Sequence, residues 1–141
     1  MKISSILQGK GDFVATVDPE ATVTQLLELL AEHRIGAVVV YDSENLAGIV
    51  SERDIARAAH AHGAAALEQP VRAIMTTSVL TCGPEATTAE LMGLMTDRRV
   101  RHIPVVDEGK LVGIVSIGDI VKARLAELET ERDALQAYIT N

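Results

Sequence analysis

Aromatic residues are almost missing from this chain. There is no Trp, one Phe (Phe13) and two Tyr (Tyr41 and Tyr138), 2% of 141 residues. Its core must therefore be built from aliphatic side chains, and the stacking platform on which single-stranded nucleic acids are held is not available. Basic residues are outnumbered, 13 Lys and Arg against 20 Asp and Glu, for a formal net charge of −7. That balance argues against non-specific binding to nucleic acid or to an anionic membrane surface. A single cysteine, Cys82, excludes an internal disulfide and fits a reducing compartment; within its apolar stretch it reads as a buried, inert side chain. No run approaches the roughly 18 uninterrupted apolar residues of a membrane span. The first residues, Met1 to Ser5, lack the apolar core of a secretion signal. The expectation is a cytoplasmic protein with no membrane and no nucleic-acid partner. No nucleophile elbow, Walker A string or metal-ligand spacing occurs. His60 and His62, two apart on a helix, point to different faces. Accordingly no catalytic residue, metal site or catalytic cofactor is expected, and the chain does not read as an enzyme.

What is present is a repeat. Shifted by about 65 residues, positions 14–56 lie on 79–121 without a gap, and roughly 18 of the 43 pairs are identical. Pro19-Glu20-Ala21-Thr22 falls on Pro84-Glu85-Ala86-Thr87, and Gly48-Ile49-Val50-Ser51 on Gly113-Ile114-Val115-Ser116. Two copies are too few for a solenoid and predict two half-domains about one pseudo-twofold. In each copy a short strand (13–17, 79–82) precedes an amphipathic helix carrying Leu26, Leu27 and Leu30, or Leu91, Met92 and Met95, at helical spacing. Two strands joined by a short turn follow (37–41 and 46–50; 102–106 and 111–115), then a second helix opening at Ser51 or Ser116. The expected fold class is α/β (α+β): two tandem βαββα repeats and a C-terminal helix. The corresponding divisions are repeat 1 over 1–62, an exposed linker over 63–70, repeat 2 over 71–121 and the helix over 122–141. Ile3 to Leu7 and Val71 to Met75 form matching lead-ins, with three extra residues before the strand in the first copy.

Ser51 and Ser116 stand where a strand gives way to a helix, and a helix N-terminus attracts phosphate through its free N–H groups. Asp54 and Asp119 lie three residues on, placed to accept from two vicinal hydroxyls, so the spacing suits a ribose phosphate. The same Ser-x-x-Asp spacing is also that of a capping box, and both readings stand at this point. Arg98, Arg99, Arg101 and His102 are the densest basic cluster in an acidic chain, suited either to phosphate or to a solvated face balanced by Asp97, Asp107 and Glu108. The first copy keeps Arg34 there and carries Arg53 inside its Ser-Glu-Arg-Asp string, where the second has Gly118. The two sites are expected to differ. Pro104 is expected at an edge strand or cleft wall.

The strings Gly48-Ile49-Val50-Ser51-Glu52-Arg53-Asp54, Gly113-Ile114-Val115-Ser116-Ile117-Gly118-Asp119 and Arg101-His102-Ile103-Pro104-Val105-Val106-Asp107 resemble the CBS domain family, and the pair resembles a Bateman module. The resemblance covers all but the last twenty residues or so and looks like a stand-alone CBS pair. It implies two clefts that take adenine compounds such as AMP, ADP, ATP, NAD(H) or S-adenosylmethionine. Residue by residue, it implies one site of Ser51, Arg53 and Asp54 with adenine near Val79, Leu80 and Thr81. The other would use Ser116 and Asp119, with Arg101, His102 and Pro104 alongside and adenine near Val14, Ala15 and Thr16. It further implies homodimers through the CBS helices and a regulatory, nucleotide-sensing role. The alternative is an interaction module with vestigial clefts that regulates a partner enzyme, with the C-terminal helix as its docking element.

Overall fold

A computed structural model describes residues 1–11 and 14–140. The chain divides into two compact units, Val14–Leu80 and a second made of Met1–Phe13 with Thr81–Asn141. Each unit contains one hairpin, its flanking helices and the lead-in that the sequence places with the other repeat.

In the first unit, strand β1 (Thr16–Val17) runs parallel to β2 (Ala37–Asp42), and β2 pairs antiparallel with β3 (Asn45–Ser51), for the order β1-β2-β3. Phe13, expected to open the first strand, lies outside the described residues. Helix α2 (Val23–His33) begins at a complete capping box: Gln25 N–H donates to the Thr22 hydroxyl and Thr22 N–H to the Gln25 side chain. Its buried Val23, Leu26 and Leu30 recur at helical spacing. Leu26, Leu30, Val38, Val40, Val50 and Val71 form the aliphatic core that the lack of aromatics required. The expected linker is exposed over Gly63–Glu68 except at Ala66, but it is ordered: after α3 (Glu52–His62) the chain folds there into a 3₁₀ segment whose Ala66 is buried and whose Leu67 carbonyl accepts from the Thr24 hydroxyl.

The second unit repeats the plan with two differences. Helices α1 (Ile3–Lys10) and α4 (Thr88–Arg98) and the hairpin of β4 (His102–Asp107) and β5 (Lys110–Ser116) are present. The turn residues Glu108 and Gly109 both have positive φ, 50° and 78°, the pattern of a type I′ hairpin. The expected strand over 79–82 is reduced to one parallel bridge, Cys82 with Val105. Cys82 N–H donates to the Pro104 carbonyl and Val106 N–H to the Cys82 carbonyl. The next bond of a parallel ladder would come from the N–H of residue 104, and Pro104 has none. In the first copy Val39 fills that position and pairs with Thr16. Pro104 is buried on β4, one strand of a two-stranded sheet, and the outer edge of that strand carries the Cys82 bridge. The second correction is at the C-terminus. No break separates the repeat's last helix from the C-terminal one: α5 runs unbroken from Ile117 to Thr140.

The lead-ins dock by the same hydrogen bonds in both units. Val71 N–H donates to Ala21 O at 2.7 Å and Arg72 N–H to Pro19 O at 2.9 Å; Ile3 N–H donates to Ala86 O at 2.8 Å and Ser4 N–H to Pro84 O at 2.9 Å. Arg72 pairs with Glu20 as Lys2 pairs with Glu85. Ile3 and Val71 are fully buried. Past these anchors, each lead-in crosses the hairpin at an equivalent glycine. A Cβ on Gly48 would lie 2.6 Å from the Thr76 carbonyl oxygen, and one on Gly113 would lie 2.5 Å from Leu7 Cδ2. Both glycines follow a one-residue bulge, at Ala47 and Val112, where the register slips.

Candidate functional site

Two repeated corners carry the polar residues singled out from the sequence. In the first unit Ala37 faces Ser51 across the β2/β3 ladder, and Glu52 N–H donates to Gly36 O at 2.9 Å. The end of β3 is thereby tied to the start of β2 as the chain turns into α3. Ser51 N–H and Oγ donate to Asp54 Oδ2 at 2.8 and 3.1 Å, and Asp54 N–H donates to Ser51 Oγ at 3.4 Å. In the second unit His102 faces Ser116, and Ile117 N–H donates to Arg101 O at 2.8 Å. Ser116 N–H donates to Asp119 Oδ2 at 2.8 Å, and Asp119 N–H to Ser116 Oγ at 3.1 Å.

Both Ser-x-x-Asp pairs therefore act as capping boxes. The cap leaves capacity over. It uses Oδ2 in each case, and among the described residues neither Oδ1 enters a hydrogen bond. The four residues Arg101, His102, Ser116 and Asp119 are brought to one end of the β4/β5 hairpin. Arg101 is exposed and His102 half-buried. Arg53 is exposed in the first turn of α3, beside half-buried Ser51 and Asp54. Val14, Val79 and Leu80 are half-buried, Ala15 is buried, and Thr16 and Thr81 are exposed. Arg34 and Arg99 occupy equivalent left-handed positions at the ends of α2 and α4, with φ of 54° and 55°.

The corners differ through a residue that the sequence reading did not single out. Lys10, at the end of α1, donates from Nζ to Asp119 Oδ2 at 2.7 Å and to Ile114 O at 2.9 Å. No cation pairs with Asp54 among the described residues. Burial pushes the Asp119 carboxyl up, but hydrogen bonds from Lys10 and Ser116 outweigh it and hold the group below the ordinary carboxylate value. With a lowered folded pKa, this contribution to stability is complete above the unfolded value. It is lost as pH falls through the folded one. Replacing Lys10 with Met is expected to raise the Asp119 pKa, read by carboxyl NMR titration, and to move acid unfolding to higher pH by an amount worth about 0–1 kcal/mol. An unmoved titration would show that the ion pair contributes nothing. Lys10 falls between the matched lead-ins and the aligned repeats, where copy one has residues 8–13 against 76–78, so the gap-free repeat alignment assigns it no counterpart.

Cys82 is half-buried, and desolvation pushes its thiol up to about 11, consistent with the inert role expected of it. Among the described residues no three His, Cys, Asp or Glu side chains gather to hold a metal ion, and no helix is long and apolar enough to cross a membrane.

This arrangement recurs in known proteins. The CBS domain model matches residues 11–61 and 71–126. A mitochondrial CBS domain-containing protein of Arabidopsis thaliana is 36% identical over 97% of this chain and 71% of its own length. A CBS domain-containing protein of Bacillus subtilis is 33% identical over 84% of each. Among solved structures, a CBS-domain protein of Agrobacterium tumefaciens is 44% identical with a TM-score of 0.85, covering 88% of this chain and 99% of that one. A CBS domain protein of Pyrobaculum aerophilum, complexed with AMP, is 29% identical with a TM-score of 0.77 over 92% and 99%. The chain belongs to the CBS domain family and carries two CBS domains in tandem.

Proposed function

We propose that this protein is an adenine-nucleotide sensor without catalytic activity of its own, binding ligands such as AMP, ADP, ATP or NAD(H) at its two Ser-x-x-Asp corners. The observation that carries the reading is the repeated carboxylate. Asp54 and Asp119 are each fixed by the cap through Oδ2, with Oδ1 left to accept from ribose hydroxyls. Ser51 and Ser116 put a helix N-terminus beside each, favourable to phosphate. Arg53 in one unit, and Arg101 and His102 in the other, supply the donors. The adenine contacts fall to Val79, Leu80 and Thr81 for one site, and to Val14, Ala15 and Thr16 with Pro104 for the other. A structural relative holds AMP. Ligand binding signals only if it favours one arrangement of the protein over another, with a coupling of about 1–3 kcal/mol. The signal would pass to a homodimer packed through the CBS helices, or to a regulated partner, in the cytoplasm.

The test is thermal denaturation of nucleotide-stripped protein with AMP, ADP, ATP, NAD, NADH, S-adenosylmethionine and GTP. A ligand specific to the native state at 100 times its dissociation constant adds about 2.7 kcal/mol, a rise of several degrees. The expected result is a rise with adenine ligands and none with GTP. A flat panel at millimolar concentrations would sink the sensor reading. It would leave the second one, an interaction module that regulates a partner enzyme, which the exposed apolar residues of α5 favour.

A further inference from the structure

Helix α5 is held by its own unit along one side only. Ile120 and Ala123 are buried, Arg124 and Glu127 are half-buried, and every described residue from Leu128 onward is exposed. The last 13 residues of the helix therefore stand free over roughly 20 Å. Five of its seven large exposed apolar residues share one stripe with Arg132, while Ile117 and Tyr138 lie off it. Val121, Leu128 and Leu135 recur every seven residues, and so do Leu125, Arg132 and Ile139, offset by four. Leu125 is 56% exposed, Leu135 63% and Ile139 79%. A 3.5-residue period on an unpaired stripe is the seam of a coiled coil. This seam lies beside the face that packs on α4, so it is not part of the unit's core.

From this seam and the charges beside it we infer that two copies of the chain associate by antiparallel pairing of α5, with Leu125 packed against Leu128 of the partner subunit. Four charges flank the seam: Lys122 and Arg124 on its N-terminal half, Glu129 and Glu131 on its C-terminal half. In the antiparallel register set by that Leu layer, Lys122 meets the partner's Glu129 and Arg124 meets the partner's Glu131, and the twofold axis repeats both contacts. Arg132 lies against the partner's Val121, and Leu135 covers Gly118 of the partner subunit, where no side chain stands in the way. A parallel pair would set Arg132 against its own copy in the seam and would leave Lys122 and Glu131 without opposite charges. Among the described residues Lys122, Glu129 and Glu131 form no ion pair; Arg124 pairs with Glu127 in its own helix and would be shared.

The experiment is sedimentation equilibrium of the full chain, with circular dichroism to verify folding. The wild type is expected to be dimeric at tens of micromolar. The variant K122E/R124E is expected to dissociate at least tenfold more readily, as is E129K/E131K, whereas the two mixed together, or all four changes in one chain, restore the dimer. In a Cys82→Ser background, L125C mixed with L128C should cross-link between chains under mild oxidation, and neither should do so alone. A monomer at all concentrations overturns the proposal. So does a dimer that ignores charge reversal and fails to cross-link 125 to 128, since association would then run through another face. Neither outcome bears on nucleotide binding, which the thermal panel reads separately.

Discussion

Replacing Gly48 with Ala is expected to destabilise the protein by about 1–3 kcal/mol, while the equivalent change at Gly113 costs less, under about 1 kcal/mol. Both glycines sit at the same place on their hairpins, and a Cβ at either would come too close to the lead-in. The difference lies in what it would meet. At Gly48 it is the carbonyl oxygen of Thr76, 2.6 Å away, with Met75 Sδ at 2.9 Å. That carbonyl accepts from Ile49 N–H at 3.0 Å, and Thr76 N–H donates to Ile49 O at 2.9 Å, so the backbone is pinned to the strand that carries the glycine. Neither partner can retreat without breaking these bonds. At Gly113 the Cβ would meet only Leu7 side-chain carbons, at 2.5 to 3.3 Å. Leu7 is half-buried and ends a flexible side chain, which can turn to another rotamer. Urea midpoints of the two variants test this. Equal losses would show that the lead-ins yield equally and that the Thr76 bonds do not hold Met75 in place. Gly48→Val enlarges the contrast, because a branched side chain has no rotamer that clears a backbone oxygen.

Much of this fold could be read in the residues, and the reason is local. Helical spacing, the Thr22 and Thr87 caps, the β-branched runs and the turn at Glu108-Gly109 are set within a few positions, and the repeat states each twice. What escaped depends on distance or on single departures from the repeat. Pro104 removes one N–H and the strand around Thr81 shrinks to a bridge. The helix beginning at Ile117 has nothing to stop it, since no Gly or Pro follows Gly118, yet the repeat alignment ends at 121 and a division is expected there. The stretch 63–70 read as an exposed linker, and Gly63–Glu68 is exposed but for Ala66, over which it winds into a 3₁₀ segment that no spacing signalled. The destination of the lead-ins was hidden as well: Lys2 reaches Glu85, 83 positions away, and Lys10 reaches Asp119, 109 positions away. The Ser-x-x-Asp pairs were visible, but both cap and ribose readings require the same spacing, and only the geometry shows that the cap leaves Oδ1 over.

That surplus sets the second large effect. Asp119→Ala is expected to lose stability and ligand together, and Asp119→Asn to separate them. The Ala variant removes the cap acceptor and leaves Lys10 without its carboxylate, for a loss of about 0.5–2 kcal/mol in stability. It also removes the group proposed to accept from the ribose hydroxyls, weakening the nucleotide at that corner by about 1–3 kcal/mol, roughly 5- to 150-fold. Asn keeps one carbonyl oxygen, which the Ser116 N–H can still use, so most of the cap survives. The amide nitrogen then stands where Oδ1 was, and it donates instead of accepting. Asn is therefore expected to fold nearly as well as wild type and to bind nearly as poorly as Ala. The same pair at Asp54 should show the smaller stability loss, because no lysine is stranded there. Isothermal titration with AMP, alongside urea melts of the four variants, decides between the readings. If Asp119→Asn and Asp54→Asn bind AMP like wild type while the Ala variants only melt earlier, the carboxylates are caps and nothing more. If binding falls in step with loss of the acceptor at unchanged stability, the second oxygen belongs to the ligand.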